Sequence, residues 1–188
     1  MSLTGSDRFF EDYTRGDRFE HRRGHTVAAA DNQMLSLLTM NTAQTHFNAD
    51  SMTGYLGGQF AAPLLNACVA LALAAGLTSE DMTENALADL GYPSFRMPAP
   101  LFVGDTIYAA SEVLSTDEPP ARDDAGVLRY RITARKTDGT LVVDTERRAL
   151  IKRRVPWQSR HEELAARVHG TAVRLLDTAP GRTGKESP

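Results

Sequence analysis

Pro63-Leu64-Leu65-Asn66-Ala67-Cys68-Val69-Ala70-Leu71-Ala72-Leu73-Ala74-Ala75-Gly76 is the stretch on which the fold turns. Leu64 to Ala75 is apolar on nearly every helical face, and a helix without a polar face has to be buried on several sides. Pro63 suits the first turn, where its missing N–H is not needed. Gly76 is a good residue for the position just past the last turn. The run is too short and too rich in alanine to span a bilayer. It predicts a central helix enclosed by another layer.

The second half of the chain supplies that layer. Val127 to Lys136 alternates strictly, with Leu128, Tyr130, Ile132 and Ala134 on one face and Arg129, Arg131, Thr133 and Arg135 on the other. That is the period of a half-buried strand. Asp138-Gly139 is a strong turn signal, so Leu141 to Ile151 returns as the partner strand. Thr106 to Leu114 is a further strand, fed by the turn Val103-Gly104-Asp105-Thr106. Pro93, Pro98 and Pro100 predict a crossing loop before it. A helix followed by strands with one apolar face predicts an α+β domain, a curved antiparallel sheet wrapped around the helix.

Upstream, residues 1–25 are polar, with Phe9, Phe10, Tyr13 and Phe19 among charges. They predict an arm laying aromatic rings over the core, and Thr26-Val27 closes a short strand. Asp31 is the expected N-cap of a helix carrying Met34, Leu35, Leu37 and Leu38. That helix should fail near Asn41-Thr42, whose side chains compete for backbone partners. His46 then lies in a loop delivered by the helix end. Asp117 to Gly126 reads as a solvated, mobile loop. A modest helix is expected over Arg160 to Arg167, and residues 180–188 have a disordered composition. The expected division is one domain with its arm over 1–155 and a C-terminal extension over 156–188.

A chain of 188 residues holds one sizeable core. A net charge of -3 offers no bulk attraction to nucleic acid or to an anionic membrane, and neither is an expected partner. Cys68 is the sole cysteine, which excludes an internal disulfide and a thiolate zinc site. Its apolar setting reads as core packing. His21, His25, His161 and His169 show no metal-ligand spacing, and no metal or separate cofactor is expected. Residues 1–12 lack a basic start followed by an apolar core, so no signal peptide is evident and a cytoplasmic location is expected. No phosphate loop, nucleophile elbow or dinucleotide fingerprint occurs.

Met40-Asn41-Thr42-Ala43-Gln44-Thr45-His46 can be set beside the segment Gly-Asp-x-Asn-Pro-Leu-His. On this stretch the chain resembles the MaoC-like, (R)-specific enoyl-CoA hydratases, which have a hot-dog fold. Leu90-Gly91-Tyr92, Phe95-Arg96-Met97-Pro98-Ala99-Pro100 and Val103-Gly104-Asp105-Thr106 extend the similarity. Leu37-Leu38-Thr39-Met40-Asn41-Thr42, His46-Phe47 and Leu65-Asn66-Ala67 look most like the branch acting on C5 dicarboxyl-CoA thioesters, mesaconyl-CoA (β-methylmalyl-CoA) and itaconyl-CoA. The resemblance covers roughly residues 8–154 and implies a hydro-lyase with coenzyme A as part of its substrate. The family histidine is kept at His46. The aspartate position is Asn41.

Hydration of an enoyl thioester needs a base for water, a proton for the α-carbon and donors for the thioester oxygen. An imidazole titrates near working pH, so His46 is the candidate base. An amide cannot exchange a proton at an accessible pKa. Asn41 therefore leaves three readings open: His46 handles both transfers, Asp50 or Asp31 stands in, or the site only binds an acyl-CoA. The bland reading of Asn41 is a helix-ending residue. Backbone N–H groups near Leu64, Leu65 and Asn66, at the positive end of the central helix, are candidate donors to the thioester oxygen. The Asn66 side chain either touches substrate or meets a neighbouring loop. Arg96 has the planar fork a free substrate carboxylate calls for, or is simply a solvated loop residue. Arg148, Lys152 and Arg153 could meet the phosphates of coenzyme A.

Two rivals remain at this stage. A hot-dog thioesterase usually carries a carboxylate on its central helix, and Leu64 to Ala75 has none. A non-catalytic acyl-CoA or acyl-carrier binding module would keep the pocket and not need His46. The resemblance implies a homodimer or higher homo-oligomer with sites at the interface.

Overall fold

A computed structural model describes residues 7–119 and 122–177. Its strands are β1 (Arg18–Thr26), β2 (Ala86–Arg96), β3 (Thr106–Asp117), β4 (Ala125–Lys136) and β5 (Leu141–Lys152). Its helices are α1 (Ala29–Leu38), α2 (Ala67–Met82) and α3 (Arg154–Asp177), with short 3₁₀ turns between α1 and α2. The strands form one antiparallel sheet in the order β1-β3-β4-β5-β2.

The alternation in β4 sorts its side chains as its sequence predicts. Leu128, Tyr130, Ile132 and Ala134 are fully buried, and Arg129 and Arg131 face outward. Burying Leu128 or Ile132 contributes roughly 1.5–3 kcal/mol each before chain entropy is charged. The inner face of the sheet packs on Val69, Ala70, Ala74 and Met82 of α2.

The expected curved sheet wrapped around the helix is corrected. The sheet is single and open, β1 and β2 are its free edges, and α2 lies against one face. Ala67, Cys68, Ala72, Gly76 and Ser79 remain exposed on the other side of the helix. These residues are small, so leaving them uncovered exposes little apolar area, and the run does not force enclosure within one chain. Cys68 is accordingly exposed, not core packing.

The ends of α2 also differ from expectation. Asn66 is the N-cap, its Oδ1 accepting the Cys68 N–H at 3.0 Å. Leu64 and Leu65 precede the helix as extended chain: Leu64 bridges Phe102, and the Leu65 N–H donates to the Leu101 carbonyl at 2.8 Å. Gly76 lies inside the helix, which continues to Met82 with Thr83 as its C-cap. Its cost in an exposed helical position is only about 1 kcal/mol against alanine, too little to stop a helix held by Thr78 and Met82 beneath it.

Of the two edge strands, β1 ends at Thr26 as the expected short strand does but is longer, and β2 escaped the sequence reading. β2 contains Pro93, which an edge strand tolerates, and its pairing with β5 is interrupted by register shifts. β1 runs the full nine residues with a register shift between Glu20 and Gly24. The aromatic arm is present: Phe9, Phe10 and Tyr13 are buried, and a Cβ on Gly126 would meet the Phe10 ring at 2.3 Å.

The loop expected to be mobile ends in an anchored residue. Asp124 is buried and receives Arg122 and Arg160 at 2.8 and 2.7 Å, which hold its carboxyl far below the usual range. Trp157 Nε1–H donates to its carbonyl, so the start of α3 is tied to the body. α3 is longer than the modest helix expected over Arg160 to Arg167. The expected disorder of 180–188 falls outside the described residues.

Candidate active site

Helix α1 sets the site by an unusual choice of buried face. Asn32 and Ser36, one turn apart, point inward and are 2% and 0% exposed. Met34, Leu37 and Leu38 face out, at 56%, 58% and 71%. The expected apolar stripe therefore looks away from the chain's own core, with only Leu35 packed against it. Ala28, not Asp31, is the N-cap. Asp31 stands at the third helical position, where its Oδ2 accepts the Ala28 N–H and faces His25 Nε2, each at 2.8 Å. The Ala28 N–H, with His25 beside it, holds this carboxyl below its usual range, so Asp31 is already engaged. Asp50 is exposed at the start of a 3₁₀ turn.

The helix ends as predicted. Met40 adopts φ +56°, the left-handed region, and the Asn41 N–H returns to the Ser36 carbonyl at 2.9 Å. For a bulky residue that conformation is strained by roughly 1–3 kcal/mol. It is also where the resembling motif has glycine, which adopts it freely. Asn41 is half-buried, and its Oδ1 accepts the Ala43 N–H at 3.1 Å. The side-chain oxygen thus serves the local turn and leaves Nδ2 as its remaining polar group.

His46 closes the next turn, Gln44–His46, and is half-buried. Its Nδ1 lies 2.9 Å from the Leu64 carbonyl. A carbonyl only accepts, so Nδ1 carries the proton and the neutral ring presents a bare lone pair at Nε2. Among the described residues Nε2 has no hydrogen-bond partner. The loop is stitched to the approach of α2 by the Leu64 N–H, which donates to the Thr45 carbonyl at 2.9 Å.

His46, Leu64, Leu65 and Asn66 therefore come together in space at the leading end of α2. The N–H groups of Leu64, Leu65 and Asn66 are all engaged, with Thr45, Leu101 and Asn32 respectively. The Ala67 N–H, next along and on an exposed residue, has no acceptor among the described residues. It sits at the positive end of the helix. Asn66 is buried, and its side chain caps the helix.

Arg96 is not joined to this cluster by any hydrogen bond among the described residues. It is the last residue of β2, its side chain 72% exposed, and it meets Asp144 at 2.5 Å. Arg131 forks onto the same carboxylate at 2.6 and 2.7 Å. Those guanidinium bonds, Arg131 foremost, hold Asp144 below the usual carboxylate range. Arg153 pairs with Glu11 and Glu118, Lys152 lies over the Trp157 ring, and Arg148 is exposed.

The residue that the sequence reading missed is Asn32. A lone asparagine in a helix reads as surface, and its only signal was its place one turn before Ser36. A second polar cluster lies elsewhere: His21, under the sheet, touches Asp81 at 2.8 Å and Ser111 at 2.9 Å. Ser111 is 3% exposed. This chain of groups runs from buried Ser111 and His21 to half-buried Asp81 and ties β1 and β3 to the end of α2. Among the described residues, no group of three or more His, Cys, Asp or Glu side chains is placed to hold a metal ion, and no helix is long and apolar enough to cross a membrane.

One helix laid on one open antiparallel sheet, with a histidine loop at the helix's leading end, is a hot-dog-like α+β arrangement. Residues 6–153 match the mesaconyl-CoA hydratase family. β-Methylmalyl-CoA dehydratase of Chloroflexus aurantiacus is 35% identical over 136 residues, 72% of this chain and 38% of that protein. A MaoC domain protein dehydratase structure from the same organism aligns at TM-score 0.72 and 31% identity, over 80% of this chain and 46% of that one. A Mycobacterium tuberculosis structure described as a double hot-dog fold aligns at TM-score 0.70 and 24% identity, over 80% of this chain and 46% of its own. The likeness supplies one such layer, with an open sheet. The chain belongs to the MaoC-like hydratase/dehydratase family, in its mesaconyl-CoA hydratase branch. It spans about two-fifths of the length of the curated relatives it matches, at 38% and 43%.

Proposed function

We propose that this chain carries the histidine site of a hydro-lyase that adds water to, or removes it from, the double bond of a short enoyl-CoA thioester. The observation that carries this is the 2.9 Å contact of His46 Nδ1 with the Leu64 carbonyl, which leaves Nε2 as an acceptor beside the start of α2. In the hydration direction Nε2 takes a proton from water as the oxygen adds to the β-carbon. The imidazolium then returns that proton to the α-carbon, so one residue serves both steps. Negative charge on the thioester oxygen is met by the Ala67 N–H and the helix dipole. The Asn41 amide orients the water through Nδ2 and moves no proton.

The acyl group we propose is a C5 dicarboxylate of the mesaconyl or itaconyl type. The names of the curated relatives support it, and a guanidinium such as that of Arg96 would have to leave Asp144 to meet the free carboxylate. A second hot-dog unit completes the site, in a homodimer or higher homo-oligomer. The uncovered apolar face of α1 and the small-residue side of α2 support this, as do relatives about twice as long.

The Asn41 turn contact favours one other reading, a binding module without a second proton carrier. Incubation with mesaconyl-CoA, itaconyl-CoA and crotonyl-CoA, followed by mass spectrometry, separates the cases. Gain of one water supports the proposal. An unchanged thioester that nonetheless binds means a binding module, and release of free coenzyme A thiol means a thioesterase.

A further inference from the structure

Asn32 is a carboxamide 2% exposed, with bonds to three places in the site. Its Nδ2 donates to the His46 carbonyl at 2.5 Å and to the Leu64 carbonyl at 3.0 Å. Its Oδ1 accepts the Asn66 N–H at 3.2 Å. One buried side chain thus holds the histidine's own backbone, the carbonyl that fixes its ring, and the cap of α2. The Leu64 oxygen has two lone pairs, and the structure gives one to Asn32 Nδ2 and one to His46 Nδ1. Burying this group on α1 while Met34, Leu37 and Leu38 stay outside makes no sense as packing, because an apolar residue at position 32 would bury at lower cost. It makes sense as a fixture.

We propose that Asn32 is the positioning residue of the His46 site, keeping the imidazole in the Nδ1–H tautomer with Nε2 aimed outward. The inference rests on the hydratase reading for its importance to turnover, but not for the tautomer itself. With both Nδ2 hydrogens on carbonyls, the loop carrying His46 and the strand-like Leu64 cannot slide past each other. The distance between ring and carbonyl is then set before any substrate arrives. Without the amide, the Leu64 peptide keeps its Leu65 N–H bond to Leu101 but the His46 backbone loses its tie to that carbonyl, and the selection of one ring nitrogen over the other weakens.

The test uses Asn32→Asp, nearly identical in shape, which retains the acceptor for Asn66 and loses both donations. Asn32→Ser is the second variant, in case the first folds poorly. Nitrogen NMR of labelled free protein reads the tautomer of His46 without any thioester. The expected result is a single Nδ1–H tautomer in the wild type and a mixture of both in the variants. On the enoyl thioester that is turned over, kcat falls about 10²-fold, as for an ångström-scale misplacement, while KM changes by less than about threefold. A wild-type ring protonated on Nε2 would overturn the inference without any variant. So would a folded Asn32→Asp protein with the wild-type tautomer and undiminished kcat. If no thioester is turned over at all, the hydratase reading fails, and the tautomer measurement still decides the role of Asn32.

Discussion

Helices α1 and α2 lie against each other and obey opposite rules. α2 turns Val69, Ala70, Ala74 and Met82 onto its own sheet and shows small residues to the outside. α1 turns Asn32 and Ser36 inward and shows Met34, Leu37 and Leu38 to the outside. The first is held by burial within the chain. The second is held by the Asn32 hydrogen bonds to the loop and helix cap of the candidate site, while the buried Ser36 hydroxyl has no partner among the described residues, and α1 keeps its apolar side uncovered. The contrast teaches that a helix can be amphipathic in the expected way yet face the wrong direction for its own core. Here the buried polar side reaches the candidate site, and the exposed apolar side is the surface on which the proposed second unit would pack.

The largest effect should come from the site. Replacing His46 by Gln keeps a polar side chain and removes the base, so turnover of the enoyl thioester should drop at least about 10²-fold with little change in melting temperature. Steady-state kinetics beside a thermal melt checks both halves. Next comes the buried side of α2. Met82→Ala, at a fully buried position, should cost about 2–5 kcal/mol in urea unfolding. If Met82→Ala were silent, the claim that α2 is held by burial would break.

The outward face of the sheet gives a smaller, pH-dependent effect. Asp144 is nearly buried, and the Arg131 and Arg96 guanidiniums hold its carboxyl below the usual carboxylate range. A depressed carboxylate adds stability that is full above its unfolded pKa and is lost as pH falls through the folded value. Asp144→Asn should therefore cost roughly 1–3 kcal/mol at pH 7, towards the low end because Arg96 and Arg131 are partly solvated. The difference from wild type should shrink as pH falls below the ordinary carboxylate range and through the lowered folded value, as chemical denaturation across pH will report. The smallest effect sharpens the contrast between helices. Leu37→Ala, 58% exposed on α1, should change the unfolding energy of the single layer by no more than about 0.5 kcal/mol. The same change should weaken self-association in sedimentation equilibrium.

The centre of the sheet was legible because β4 alternates cleanly and Asp138-Gly139 returns the chain as β5. The edges were not. β1 and β2 shift register along their length, which breaks the period of two, and Pro93 argued for a loop although an edge strand needs no N–H there. The end of α1 and the loop position of His46 could be read from Asn41-Thr42 and the motif around them. The orientation of α1 could not. Periodicity groups Met34, Leu35, Leu37 and Leu38 along one side of a helix but does not say whether that side turns towards the chain's own core. Asn32 was hidden for the same reason: its partners at His46, Leu64 and Asn66 are brought close only by the fold.

The most direct test is a crystal structure of the assembled protein with the hydrated thioester bound. The account predicts the new hydroxyl within about 2.6–3.2 Å of His46 Nε2, with the thioester oxygen at the leading end of α2. A product seated elsewhere, with Nε2 turned to bulk water, would contradict it.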